Sequence, residues 1–318
     1  MLLTIISHPW LALASAFLLV YLWRRFGVSD YFRGSKYAMS DLIKRLGSGK
    51  QSQWTQADTE TLLRTPVRYR EFLIPKRKGG QRTISAPEKD LLGVQRRILR
   101  RVFHGLKVHP ACQGFARGTS IAHHAKVHRG QALVFRVDIK DFFPSIKKPR
   151  VYSFLRALGW NRSAADWLAA MTTHNGALPQ GAPTSPILSC AVNSRLDKRL
   201  PRLAEKFKAN YSRYADDLTF SFQSEPQRPD RFLMMVYSIL KDEGYAPQLH
   251  KKVRFMRRHD RQLVTGLVVN QKVALPRELR RKLRAARHHV KKGKTSTWNE
   301  AQLKGWAALE SMIRTQAA

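Results

Sequence analysis

Tyr211-Ser212-Arg213-Tyr214-Ala215-Asp216-Asp217-Leu218-Thr219-Phe220-Ser221 places two adjacent carboxylates between two strand-like runs. Leu218, Phe220 and Phe222 alternate with Thr219 and Ser221, a period of two that predicts a strand, and Tyr211 and Tyr214 precede the acids. The stretch reads as a hairpin with Asp216 and Asp217 at its tight connection. Two carboxylates forced together repel, and one takes up a proton unless a cation neutralises them. An Asp-rich turn is ordinary by itself, because Asp favours turns. The hairpin becomes a site only if a carboxylate distant in sequence folds against it.

Leu133-Val134-Phe135-Arg136-Val137-Asp138-Ile139 offers that carboxylate: an apolar strand ending in an acid, followed by Lys140-Asp141-Phe142-Phe143. A charge at the end of a buried strand must be paired or bound to metal. Between the two segments, Leu178-Pro179-Gln180-Gly181-Ala182-Pro183 forms a Pro/Gly loop that feeds a helix predicted from Ile187 to Leu200. Gly181 lets a ligand approach the backbone closely. Gln180 is a candidate substrate contact within what is otherwise a connector.

The chain has 318 residues, with 58 Lys and Arg against 22 Asp and Glu, a formal net charge of +36. Such a balance calls for a polyanion. Basic residues run the length of the chain, interleaved with aromatics, which points to nucleic acid ahead of an anionic membrane surface. Two cysteines, Cys112 and Cys190, exclude a disulfide framework and four-ligand zinc sites and suit a reducing cytosol. His123, His124 and His128 have no carboxylate or cysteine among them, so the segment reads as structural or RNA-contacting, not metal-binding. Asp138, Asp216 and Asp217 on so basic a scaffold imply nucleotidyl transfer with two Mg²⁺ ions about 3.5 to 4 Å apart, oxygen ligands suiting a hard cation.

Residues 1–25 are apolar up to Arg24 and Arg25 and read either as a membrane anchor that leaves the rest cytoplasmic or as a helix packed on the protein or a partner. A linker is predicted over 26–35. Helices follow in 37–64, with Thr55 as a cap, and a hairpin over Tyr69–Pro87 turns at Lys78-Gly79-Gly80. Lys76, Arg77, Lys78 and Arg82 project from it, to clasp phosphates or simply to be solvated. Leu91–Val108 predicts a basic helix, Pro229–Gly244 an amphipathic one, and Leu263–Val269 a strand. Arg277–Lys294 is too densely positive for an ordinary solvated helix face and is predicted to lie on a nucleic-acid backbone. Glu300–Ile313 predicts the last helix.

The ordered segments Asp138-Ile139-Lys140-Asp141-Phe142-Phe143, Pro179-Gln180-Gly181, Tyr214-Ala215-Asp216-Asp217 and Val264-Thr265-Gly266 resemble those of bacterial retron reverse transcriptases, from about residue 37 to the C-terminus. The resemblance implies an α+β right-hand polymerase: fingers over 36–130, a palm with an antiparallel sheet over 131–262, and a primer-grip strand with a helical thumb over 263–318. The N-terminal apolar helix is extra to that pattern. Asp138, Asp216 and Asp217 are then the catalytic, metal-binding carboxylates. Phe143 is the gate against a nucleotide 2′-hydroxyl, and Lys76, Arg82, Gln180, Gly181 and Lys251 are nucleotide contacts. Val264, Thr265 and Gly266 grip the primer. His124, Ala125 and His128, with Arg277, Arg280, Arg281, Arg284, Arg287 and Lys291, contact RNA. Two departures stand out: His124 replaces the usual Asn, and Pro247-Gln248-Leu249-His250 replaces the usual Ile-Asn pattern before Lys251. The implied partners are dNTPs, a structured noncoding RNA primed from the 2′-hydroxyl of an internal guanosine, its RNA-linked DNA product (msDNA), and a separate antiphage effector, with tethering at the inner membrane if the anchor holds. A group II intron-like reverse transcriptase and a non-catalytic RNA-binding scaffold are the alternatives.

Overall fold

A computed structural model describes residues 35–47, 55–76, 79–116, 118–248 and 254–317. The predicted apolar helix, all but the end of the predicted linker, and Arg77, Lys78 and Lys251 lie outside these residues. Among the described residues no helix is long and apolar enough to cross a membrane.

Two helices, α1 (Met39–Gly47) and α2 (Gln56–Leu63), lead to a hairpin of β1 (Tyr69–Pro75) and β2 (Gln81–Pro87), then α3 (Lys89–Arg101) and the short α4 (Ile121–Lys126). Thr55 caps α2 as predicted, its hydroxyl accepting from the Asp58 amide while Asp58 reaches back to the Thr55 amide, a reciprocal arrangement that satisfies two exposed donors. α3 ends at Arg101, short of the predicted Val108.

Next come β3 (Leu133–Asp138), α5 (Phe142–Ser145), α6 (Lys148–Ala157), α7 (Arg162–Thr172), α8 (Ser185–Ala191) and α9 (Ser194–Lys206). The helix predicted over Ile187–Leu200 is broken between the last two. Asn193 sits at the break, its amide donating to the Ser189 carbonyl while its Oδ1 accepts from Arg150 and from the Tyr245 hydroxyl. That local competition with helical bonding is why Asn favours helix ends. β4 (Ala209–Tyr214), β5 (Asp217–Phe222), α10 (Pro229–Asp242) and β6 (Arg254–Arg257) complete the central part.

The central sheet runs β4-β5-β3-β6, every neighbour antiparallel. Period-two alternation divides β3 between two cores: Leu133, Phe135 and Val137 enter the larger one, and Val134 enters the smaller. α10 covers the first face. Its buried Phe232 meets the rings of Phe135, Phe220 and Phe222 at 5.6, 5.2 and 5.3 Å, so truncation to alanine should destabilise by about 3–5 kcal/mol.

The second face carries the C-terminal part: β7 (Leu263–Val264), β8 (Leu267–Val268), α11 (Arg277–Lys291) and α12 (Glu300–Gln316). Leu283, Ala286, Leu303 and Ile313 share a core there with Val134, Met256, Ala122 and Ala125. The single strand predicted over Leu263–Val269 is in fact a two-residue hairpin. Val264 pairs with Leu267, and Thr265 and Gly266 have φ of 45° and 85°, the double positive φ of a turn whose twist matches its strands.

Candidate active site

The predicted hairpin forms, with the two acids at its connection. Tyr214 pairs with Asp217 across a two-residue connection of Ala215 and Asp216, and Ala215 has a φ of 56°. β3 lies beside β5 in a register that puts Asp138 opposite Asp217, and the Ile139 amide donates to the Asp216 carbonyl at 2.9 Å. Carboxylates far apart in sequence thus share one end of one sheet. Asp216 is exposed, Asp138 half-buried and Asp217 buried.

Their side chains do not converge as three equivalent ligands. Arg136 Nε donates to Asp217 Oδ1 at 2.9 Å, and Arg136 Nη2 pairs with Asp217 Oδ2. Among the described residues no three Asp, Glu, His or Cys side chains are arranged to hold a metal ion. In this arrangement the Asp217 carboxylate is paired with the Arg136 guanidinium. Burial raises the Asp217 pKa; Arg136 opposes this, and Asp138 and Asp216 reinforce it. Burial works to lower the Arg136 pKa, yet Asp217, Asp138 and Asp216 hold it above the ordinary value. Three carboxylates facing one guanidinium leave negative charge that suits a divalent cation. Asp138 and Asp216 fit it as hard oxygen donors.

Sequence reading missed how the turn is held. Arg213 and Asp197 are both fully buried, with Arg213 Nε and Nη2 donating to the two Asp197 oxygens at 2.7 and 2.5 Å. Arg213 Nη1 donates to the Ala215 carbonyl at 3.0 Å. Asp197 comes from α9, so the helix is tied to the apex of the hairpin. On its outer side β4 is bound by residues 111–114: the Arg213 amide donates to Ala111 O and the Gln113 amide to Arg213 O, both at 2.7 Å. Gly114 is required there, because a Cβ would stand 2.7 Å from the Ala215 nitrogen and 3.1 Å from the Tyr214 Cα. One signal was available: Arg136 and Arg213 are charges inside strand patterns and needed buried partners.

The other expected nucleotide contacts lie on the β1–β2 hairpin, on the loop at 178–183 and after β3. Lys76 and Arg82 are exposed at the far end of the β1–β2 hairpin, whose turn is closed by Lys76 N–H to Gly80 O at 2.9 Å. Gly181, with a φ of 124°, faces the chain itself: a Cβ would meet Ile84 Cγ2 and the Ser85 carbonyl at 2.9 Å, and the Ser85 amide donates to Gln180 O at 2.7 Å. The glycine is needed to dock the loop on β2, a reason the sequence did not reveal. Phe143 is half-buried, 5.6 Å from Phe142 and 6.3 Å from Phe115. Lys251 lies outside the described residues, although Gln248 N–H to Asp138 O at 2.8 Å brings the preceding segment alongside β3.

The expected RNA contacts divide. His124, Ala125 and His128 are fully buried and do not present their side chains to a nucleic acid. His128 bridges the hairpin strands, with Nδ1 at 2.8 Å from Ser221 Oγ and Nε2 at 2.7 Å from Ser212 Oγ. Burial pushes the His124 pKa from 6.5 down to about 3 and that of His128 well down, so both are neutral. On α11, Leu279, Leu283 and Ala286 pack inward while Arg277, Arg280, Arg281, Arg284 and Lys291 are exposed. Arg287 is instead drawn to Glu310 at 2.6 Å and ties α11 to α12. Arg277 and Arg280 also line an open cleft of about 830 Å³ with Arg258, Arg261 and Lys272. Val264 is buried, Thr265 donates weakly to Ile121 O at 3.4 Å, and Gly266 is exposed.

A strand-terminal aspartate beside an aspartate hairpin on an antiparallel sheet, in a chain that also carries a densely basic helix, is an organisation that suits a nucleotide polymerase. Residues 74–300 match the family described as reverse transcriptase (RNA-dependent DNA polymerase). The chain is 39% identical over 308 residues to the Retron Mx162 reverse transcriptase of Myxococcus xanthus, covering 85% of this chain and 63% of that protein. It is 34% identical over 263 residues to the Retron Ec86 reverse transcriptase of Escherichia coli, covering 80% of this chain and 81% of that one. A second Myxococcus xanthus relative, the Retron Mx65 reverse transcriptase, is 37% identical, and the match spans 62% of its length. The matches thus cover a little under two thirds of each Myxococcus relative. This chain belongs to the reverse transcriptases, among those of retrons.

Proposed function

We propose that the chain is the RNA-directed DNA polymerase of a retron, copying part of a cognate structured noncoding RNA into single-stranded DNA that stays joined to it. One observation carries the reading: β3 and the β4–β5 hairpin bring Asp138, Asp216 and Asp217 to one end of the sheet in a chain of net charge +36. Mg²⁺, held by Asp138 and Asp216, would supply activation of the attacking hydroxyl and charge stabilisation at the leaving pyrophosphate. Arg136 opposes the burial that raises the Asp217 pKa and holds that carboxylate oriented by two hydrogen bonds. Phe143 stands as a wall against a 2′-hydroxyl, favouring dNTPs. Gln180 and Gly181 couple the nucleotide pocket to the fingers hairpin, where the exposed Lys76 and Arg82 would make charge-assisted bonds to a triphosphate.

The β7–β8 hairpin grips the primer strand. The exposed cations of α11 and the adjoining cleft take the RNA backbone, an electrostatic contact that weakens with salt. A role in antiphage defence with a separate effector, and inner-membrane tethering through residues 1–23, extend the reading. Recovery of untagged protein in the soluble fraction without detergent would rule the tether out. The principal test is expression with the noncoding RNA encoded beside the gene. Branched RNA–DNA is expected from the wild type and none from the Asp216→Asn, Asp217→Asn chain; product from that double variant would overturn the mechanism.

A further inference from the structure

Phe115 stands apart from the other large apolar side chains near the carboxylates. It is 42% exposed, and its backbone φ is 62°, a left-handed conformation that a bulky side chain rarely adopts. Its position is enforced from the preceding residue, since Gly114 is pressed against the Tyr214–Ala215 backbone. The Phe115 ring lies 6.3 Å from that of Phe143 and 6.0 Å from that of Tyr214, tilted 46° to each, within the range of attractive aromatic pairs.

Phe143 therefore has two ring neighbours of different character. Phe142 is buried, 5.6 Å from Phe143 and 5.9 Å from the buried Tyr245, and is fixed in the core. Phe115 comes from a separate loop on the open side. A steric wall discriminates only if it cannot swing aside, and a half-buried phenylalanine has room to change rotamer unless something packs on its exposed side.

We propose that Phe115 is a specificity-determining residue that acts through Phe143, holding that ring where it collides with a 2′-hydroxyl. The inference rests on Phe143 being the sugar gate, and it makes the gate a two-ring device linked through Phe115 to the Tyr214 side of the catalytic hairpin.

The test is the ratio of kcat/KM for a dNTP to that for the matching rNTP on a primed RNA template. Phe143→Ala should collapse the ratio. Phe115→Ala should lower it roughly fivefold, as expected for losing one aromatic pair, and Phe115→Tyr should restore it. Phe115→Leu keeps apolar bulk in the loop if the alanine variant folds poorly, and should lower the ratio in the same way. If Phe143→Ala admits rNTPs while Phe115→Ala and Phe115→Leu slow both nucleotides equally, Phe115 is only structural and the inference fails, with the gate intact. If Phe143→Ala leaves the ratio unchanged, the gate reading fails and the inference falls with it.

Discussion

Replacing Asp197 by Asn leaves the Arg213 guanidinium fully buried without its counter-ion. Two charge-assisted bonds, at 2.7 and 2.5 Å, are lost or weakened, and breaking such a pair destabilises by about 3–5 kcal/mol. Stability loss alone would not separate packing from positioning. The double replacement Asp197→Leu, Arg213→Met does so, because a buried ion pair exchanged for apolar groups of similar volume is often neutral or stabilising. That double variant still lacks the donor 3.0 Å from the Ala215 carbonyl, and the apex, with its φ of 56°, loses its brace. A shift of about 1 Å in a reacting group costs on the order of a hundredfold. Denaturant unfolding should therefore show a large loss for Asp197→Asn and recovery in the double variant, while primer extension by the double variant stays depressed by about ten- to a hundredfold in kcat. A double variant as stable and as active as the wild type would refute the positioning role.

Gly114→Ala should lower kcat at least tenfold and destabilise by about 1–3 kcal/mol through overpacking, since the new methyl group meets backbone atoms of the hairpin; steady-state kinetics beside a melting curve checks both. His124 is neutral when folded, its pKa lowered by burial and by Arg136 to about 3, so the unfolded chain binds its proton first. The stability from its burial is fully present above about pH 6.5 and is lost as pH falls below it, by roughly 1.4 kcal/mol per unit; unfolding from pH 7 to 5 should show the slope, and His124→Gln should reduce it. Alanine at Arg277, Arg281 and Arg284 together should weaken RNA binding and lower the slope of log affinity against log salt by up to about three, whereas Arg287→Ala should act mainly on stability through Glu310.

The hairpin, the β3 partner and the basic C-terminal helix were legible because each writes a local pattern: alternation for strands, a terminal acid on an apolar run, dense charge on a helix. What the sequence concealed depends on distant packing. Thr265-Gly266 was read through as strand, although a glycine between Val264 and Leu267 is also what a tight turn requires. His124 and His128 looked available as polar residues on a basic helix, but whether a histidine faces RNA or two serines of the next sheet is decided by tertiary burial. Gly181 and Gly114 serve contacts with the chain's own backbone, which composition cannot distinguish from contacts with a ligand. Three aspartates look alike in the sequence, which does not reveal that Arg136 pairs with Asp217.

The central claim is that Asp138 and Asp216 together carry nucleotidyl transfer. It is tested most directly by dNTP incorporation on a primed RNA template by the Asp138→Asn and Asp216→Asn chains, each shown to unfold near the wild-type midpoint. Charge stabilisation at such a centre is worth several kcal/mol, so each variant should fall by roughly a thousandfold or more. A folded variant of either kind that keeps more than about a tenth of the wild-type rate would contradict the account.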